Sequence, residues 1–131
     1  MFTHTVTYEK PEGYSPSKLG EDPKGKAGAL KCPLWLLPTT ALRQTAWVLK
    51  TGADKYGPYN WRDNEVKITD YVSAIHRHLA DFLDGSDADF ESGKSELAHI
   101  AATCFILMDA LESETLIDNR PKTEYQLSRP V

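Results

Sequence analysis

The stretch LAHIAATCFILMDAL, Leu97 to Leu111, decides the fold. Twelve of its fifteen residues are apolar, and only His99, Thr103 and Asp109 interrupt the run. A helix of this composition has no continuous polar face and must be covered on nearly every side. It is too short to span a bilayer, and no stretch of the chain reaches the roughly 18 apolar residues a spanning helix needs, so no membrane partner is expected. The run therefore predicts a helix inside a bundle of helices.

Working outward from it, the helix is expected over residues 95 to 111. An acidic connector, residues 86 to 93, leads into it and ends in Ser92 and Gly93. A second helix is predicted upstream, capped by Thr69 or Asp70, carrying Val72, Ile75, Leu79 and Phe82 on one face and stopped by Gly85. A further helix is expected over 39 to 53, with Leu42, Ala46 and Leu49 at helical spacing, Pro38 as its start signal and Gly52 as its interruption. Three substantial helices cannot cover the apolar one alone. The expectation is an all-α helical bundle completed by oligomerisation, a homo-oligomer of two or four chains.

The flanks differ in character. Residues 1 to 37 hold four of the eight prolines and four of the eight glycines, and read as an irregular leader with at most a short strand from Thr3 to Tyr8. Leu34 to Leu37 are too apolar to be left in water, so this leader is expected to pack on the core. The helical domain spans 38 to 112, and the polar segment 113 to 131, with Pro121 and Pro130, reads as an extended C-terminal arm.

A formal charge of -4 and a pI near 5.5 argue against a nucleic-acid binder, which neutralises phosphates with a basic face. A small phosphorylated ligand bridged by cations stays compatible. Two isolated cysteines, Cys32 and Cys104, exclude a disulfide framework or a zinc finger and point to a reducing cytoplasm. The N-terminal residues lack the basic and apolar regions of a signal peptide.

Among the motifs, GEDPKGKA at 20 to 27 imitates a phosphate-binding GxxxxGK loop but lacks the closing Ser or Thr and a preceding buried strand, so it is read as a solvated Gly/Lys loop. The richer signal is the pairing of His78 with Asp81 and of Glu96 with His99, each three residues apart on predicted helices. Two such pairs on adjacent antiparallel helices would converge, which is how bundles build metal sites of the kind that suits magnesium or manganese. Each member has a plainer reading: Asp81 as a solvated acid, Glu96 as a first-turn acid favouring the helix dipole, His99 as a core imidazole bonded to a carboxylate. His76 is assigned to packing, and Arg77 either reaches an anion or pairs with the connector. Asp89 and Glu91 either supply further ligands or hold the histidines.

The loop GADKYGPYNW, residues 52 to 61, sets Lys55 beside Tyr56, Tyr59, Asn60 and Trp61. Lysine offers a phosphate a point charge, the aromatic rings offer a base a stacking face, and Asn60 offers paired donor and acceptor. Equally, the aromatic residues could plug the open end of the bundle.

Taken in order, LLPTTALRQTAWVLKTGADKYGPYNW, YVSAIHRHLADFLDG, DFESG and ELAHIAATCFIL resemble the phage-encoded domain named for dATP/dGTP diphosphohydrolases, a relative of the MazG-like all-α nucleoside triphosphate pyrophosphohydrolases. The resemblance covers residues 34 to 112 and rests on the ordered set GAxKYGxxNW, RH, DxxSG and LAH. It implies release of pyrophosphate and a monophosphate from a purine deoxynucleoside triphosphate, with two or three Mg2+ or Mn2+ ions. The superfamily pattern ExxE…ExxD falls on His78 and Asp81, then on Glu96 and His99. The resemblance thus implies His78, Asp81, Asp89, Glu96 and His99 as metal ligands, with Glu96, Asp81 and His99 catalytic. Lys55 and Arg77 become phosphate contacts, and Tyr56, Asn60 and Trp61 base contacts. Against a triphosphohydrolase of the HD type stands the absence of any His-Asp dipeptide, and against a diiron bundle the presence of a single Glu-x-x-His. A non-catalytic nucleotide-binding bundle is the remaining alternative.

Overall fold

The computed structural model describes Glu9, Glu12, Gly13, Gly20 and residues 22 to 122, so the strand expected at Thr3 to Tyr8 and the arm beyond Lys122 lie outside the described residues. The chain divides into two units, residues 1 to 36 and 37 to 131.

In the first unit, the expected Gly/Lys loop is instead a short helix, α1 (Pro23–Gly28). Asp22 starts it: its carboxylate accepts from the backbone N–H groups of Lys24 at 3.2 Å and Gly25 at 3.1 Å, and Pro23 occupies the first helical position, where a missing N–H costs nothing. A single 3-10 turn follows at Leu34–Leu36.

The second unit is all-α apart from a two-residue strand pair. Its helices are α2 (Thr39–Tyr56), α3 (Ile68–Leu83) and α4 (Glu96–Glu112). α4 packs against both others. It runs antiparallel to α3, since His78 meets Glu96 at one end while the strand just before α3 meets the chain leaving α4 at the other.

Gly52 does not interrupt α2. A mid-helix glycine costs about 1 kcal/mol, and the Lys50–Asp54 ion pair at 2.9 Å bridges it one turn apart. The helix stops at Gly57, whose φ of +91° suits only glycine. At the end of α3 the stop falls as expected, with Gly85 at φ +106°. α4 begins at an N-cap: Ser95 Oγ accepts from the Ala98 N–H at 3.3 Å.

α3 is capped from far away in sequence rather than by Thr69 or Asp70. Asn119 Oδ1 accepts from the Thr69 N–H at 3.1 Å, and Asn119 Nδ2 donates to Thr69 Oγ1 at 2.8 Å. Beside this cap, β1 (Val66–Lys67) and β2 (Leu116–Ile117) pair in parallel, Val66 opposite Leu116. The first residues after α4 are therefore docked.

Val48 of α2 meets Ala98 and Ala102 of α4, with Leu49 packed against them. The two alanines lie one turn apart and let the helices approach closely. Part of α4 is less covered than its composition demands: Leu97, Met108 and Leu111 are 52, 61 and 67% exposed. Among the described residues, no helix is long and apolar enough to cross a membrane.

Candidate functional site

The site forms where the connector folds back between α3 and α4. Ala88 and Ser95 make an antiparallel bridge, and the Asp89 N–H donates to Lys94 O at 2.7 Å. Gly93, at φ +70°, closes the turn with its N–H on Asp89 O at 2.8 Å. The loop thus places Asp89 over the facing ends of the two helices.

Four side chains meet there. His78 Nδ1 lies 3.0 Å from Glu96 Oε2 and 3.8 Å from Asp89 Oδ1. His99 Nε2 lies 3.8 Å from Asp89 Oδ2, and the two imidazole rings stack with centroids 4.4 Å apart. Asp89 therefore turns one oxygen toward each histidine. Glu96 is 1% exposed, the largest fully buried side chain together with Val66, and its one side-chain hydrogen bond among the described residues goes to His78. A carboxylate so buried needs positive partners, because leaving one uncompensated costs several kcal/mol.

The donor set has the spacing of a cation site. One ligand atom from each of His78, Asp89 and Glu96 lies within 4.8 Å of the others. Ligands of one octahedral ion at about 2.1 Å stand roughly 3 to 4 Å apart, so the three reach a common ion with small adjustments. Two carboxylates and imidazole suit magnesium, manganese or zinc rather than a soft metal.

Electrostatics favour ligation. Burial alone would raise the Asp89 carboxyl, but the Ser92 N–H at 2.8 Å, the Ser92 side chain and the two imidazoles outweigh it and hold it below the ordinary value of 3.8. Burial first, then the neighbouring His78, pushes His99 below its ordinary 6.5, which keeps it neutral and able to ligate.

Of the residues singled out from the sequence, the structure brings together His78, Asp89, Glu96 and His99. Asp81 is not among them: the three-residue step from His78 leaves it exposed on α3, making no contact with the cluster. Arg77 is exposed and makes no ion pair among the described residues, and His76, expected in the packing, is exposed as well. Glu91 turns away from the cluster and pairs with Lys55 at 3.2 Å, which brings Lys55 from the end of α2 to the connector.

A cleft of about 220 Å³ runs from His99 between the three helices. Lys55, Tyr56, Asn60 and Trp61 line it, together with Thr51, Tyr71 and Thr103. A larger groove of about 920 Å³ along α2 and α4 is lined mainly by apolar residues such as Ala46, Leu49, Phe105 and Met108, and holds none of the cluster. Of the two, the smaller space is the one that reaches the cluster, through His99.

Trp61 forms a wall common to both. Its Nε1–H donates to Asp109 Oδ2 at 2.6 Å, and Arg62 grips the same carboxylate at 2.8 and 2.9 Å while lying over Tyr59. Asn60 Nδ2 donates to Gly57 O at 3.1 Å. The segment is fastened to α4 rather than left loose. Two participants escaped sequence reasoning: Ser92, whose Oγ is 2.6 Å from His99 Nε2, and Asp109. For Ser92 the signal was available, since Asp-x-x-Ser-Gly places an acceptor side chain three residues ahead of a turn-forming Ser-Gly, within reach of the local backbone.

Residues 21 to 120 match the family described as dATP/dGTP diphosphohydrolase, N-terminal. Over 94 residues the chain is 31% identical to a dATP/dGTP diphosphohydrolase of Salmonella phage PMBT28, an alignment covering 72% of this chain and 30% of that protein. The chain thus spans less than a third of that relative's length. No solved structure matches it.

Proposed function

The chain belongs to the dATP/dGTP diphosphohydrolase N-terminal family, and from that premise we propose that it is a MazG-like, Mg2+- or Mn2+-dependent pyrophosphohydrolase that cleaves a purine deoxynucleoside triphosphate to the monophosphate and pyrophosphate. The observation that carries the reading is the meeting of His78, Asp89, Glu96 and His99 at the mouth of a cleft lined by Lys55 and Asn60. The phage relative supports a place in deoxynucleotide metabolism of an infected cytoplasm.

His78, Asp89, Glu96 and His99 would hold the cation, with one oxygen of Asp89 turned toward each imidazole. When bound, such ions supply Lewis acidity toward water and phosphate oxygens. The remaining work falls to the chain. Lys55 is tied to Glu91 only by an exposed pair, worth at most about 1 kcal/mol. A triphosphate displaces Glu91 and takes the ammonium. Asn60 retains its carbonyl oxygen for the nucleoside, while its amide holds the Gly57 turn. Burial keeps the Tyr71 hydroxyl protonated in the same cleft, where it serves as a donor.

The active form is a homo-oligomer on this reading. Leu97, Met108 and Leu111 on α4, and Trp47 on α2 at 57% exposure, form apolar surface that a second copy covers.

Purified protein incubated with each of the four dNTPs and GTP, with Mg2+ or Mn2+, and resolved by anion exchange tests the proposal. Monophosphate plus pyrophosphate, lost on chelation, is expected. Tripolyphosphate as product would replace it with a triphosphohydrolase, and unchanged nucleotide with every metal would leave a binding protein.

A further inference from the structure

Ser92 stands at the junction of two functional side chains. Its Oγ accepts from the Lys94 backbone N–H at 3.1 Å, and the same oxygen is 2.6 Å from His99 Nε2. Its own backbone N–H donates to Asp89 Oδ2 at 2.8 Å. That carboxylate oxygen is 3.8 Å from His99 Nε2, so both point into one space.

The length of the contact with His99 assigns the hydrogen positions. A neutral imidazole carries one donor and one acceptor nitrogen. Were Nε2 the donor, the Ser92 hydroxyl would turn to the Asp89 carboxylate, but a separation of 2.6 Å is shorter than N–H donors usually reach and suits an O–H donor. With Ser92 donating to Nε2, the hydroxyl gives one bond and receives one. Nε2 is then a bare lone pair and the His99 hydrogen sits on Nδ1. A cation needs that bare nitrogen, and the hydroxyl yields it by a rotation about a single bond.

Resting on the metal-dependent reading above, we propose that Ser92 is a positioning residue of the cation site: its hydroxyl fixes the Nδ1–H tautomer of His99, and its backbone N–H aims Asp89. A nitrogen and a carboxylate oxygen are thereby presented together to a divalent ion. The fold supports this role because Gly93, at φ +70°, holds the turn that carries Ser92 against α4. Partners that orient metal-binding side chains change metal affinity by roughly 10- to 100-fold when removed.

The test uses the full chain labelled with 15N-histidine. Without metal, long-range proton–nitrogen spectra of the wild type are expected to show His99 in the Nδ1–H form alone. Ser92→Ala keeps the backbone N–H but should give a mixture of tautomers, and Ser92→Thr should restore the single form. Calorimetric titration with Mn2+ is expected to show about tenfold weaker binding for Ser92→Ala and near wild-type binding for Ser92→Thr. Should the alanine variant not fold, Ser92→Cys, a far weaker donor, carries the same expectation. Wild-type Mn2+ binding with Ser92→Ala unchanged in both measurements overturns the inference alone. A wild type that binds no Mn2+ overturns it together with the metal-dependent reading.

Discussion

The imidazoles of His78 and His99 lie in parallel stack, 14° between planes and 4.4 Å between centroids, although one belongs to α3 and the other to α4. Two imidazolium rings cannot be held so at low cost.

Stability of the metal-free protein should fall on acidification through the histidine range. Burial, then His78, depresses His99 below 6.5, so the unfolded chain takes up a proton while the folded one has not. The unfolded state binds more protons, so stability rises with pH there and is lost as pH falls through the lowered folded value. Asp89, also depressed, adds the same sign below 3.8. Urea midpoints at pH 5 and 7 should differ, and His99→Gln should reduce the difference; an unchanged slope would remove His99 as its source.

Glu96→Gln keeps the size of the buried side chain and removes its charge. Turnover is expected to fall by more than about 100-fold, with helical circular dichroism retained and Mn2+ binding weakened. Near-normal turnover would exclude Glu96 from the site.

For Trp61 the structure separates two roles. Asp109, held near a pKa of about 2 by hydrogen bonds from Arg62 and Trp61, is the anchor of the loop. Trp61→Phe loses that bond but keeps an aromatic wall, and should lower the melting temperature slightly with KM little changed. Trp61→Ala should raise KM more than it lowers kcat. Lost stability with unchanged KM in the alanine variant would mark Trp61 as a plug only.

Lys55→Ala should raise KM about tenfold, or about 1.4 kcal/mol, without a measurable change in melting temperature, since its pair with Glu91 is exposed. Glu91→Gln should move KM slightly downward. Equal KM values for wild type and Lys55→Ala would release Lys55 from phosphate binding.

Sedimentation of the wild type should give a dimer or larger species, and Met108→Glu should shift it toward monomer. A wild-type monomer at micromolar concentration would leave the α4 surface without its proposed cover.

Much of the fold was legible because its signals are local. The α4 run, its Ser95 start and the Gly85 stop all lie within a turn or two of the elements they define. What escaped depends on distance along the chain. The cap of α3 comes from Asn119, fifty residues downstream of Thr69, and no local pattern names it. The helical pairs at His78 and Glu96 could be read by spacing, but the acid that joins them comes from the connector. Periodicity points to Asp81; Asp89 is offered by the connector's sequence, but its place over the helices is set by the path of a turn, fixed by the Ala88–Ser95 bridge. The extension of α2 through Gly52 reflects neighbours that outweigh one weak residue.

The tie between Asn119 and Thr69 has a further meaning. α3 is 16 residues long, about 24 Å, with the connector stitched across one end and the Asn119 and β1–β2 contacts across the other. The helical hairpin is a buckle fastened at both ends, so neither helix can slide against its neighbour by a turn. The spacing of His78 and Glu96 is thereby guarded by residues at the far end of the hairpin, and a chain cut after Glu112 would keep every side chain of the cluster yet lose the clasp that holds them in register.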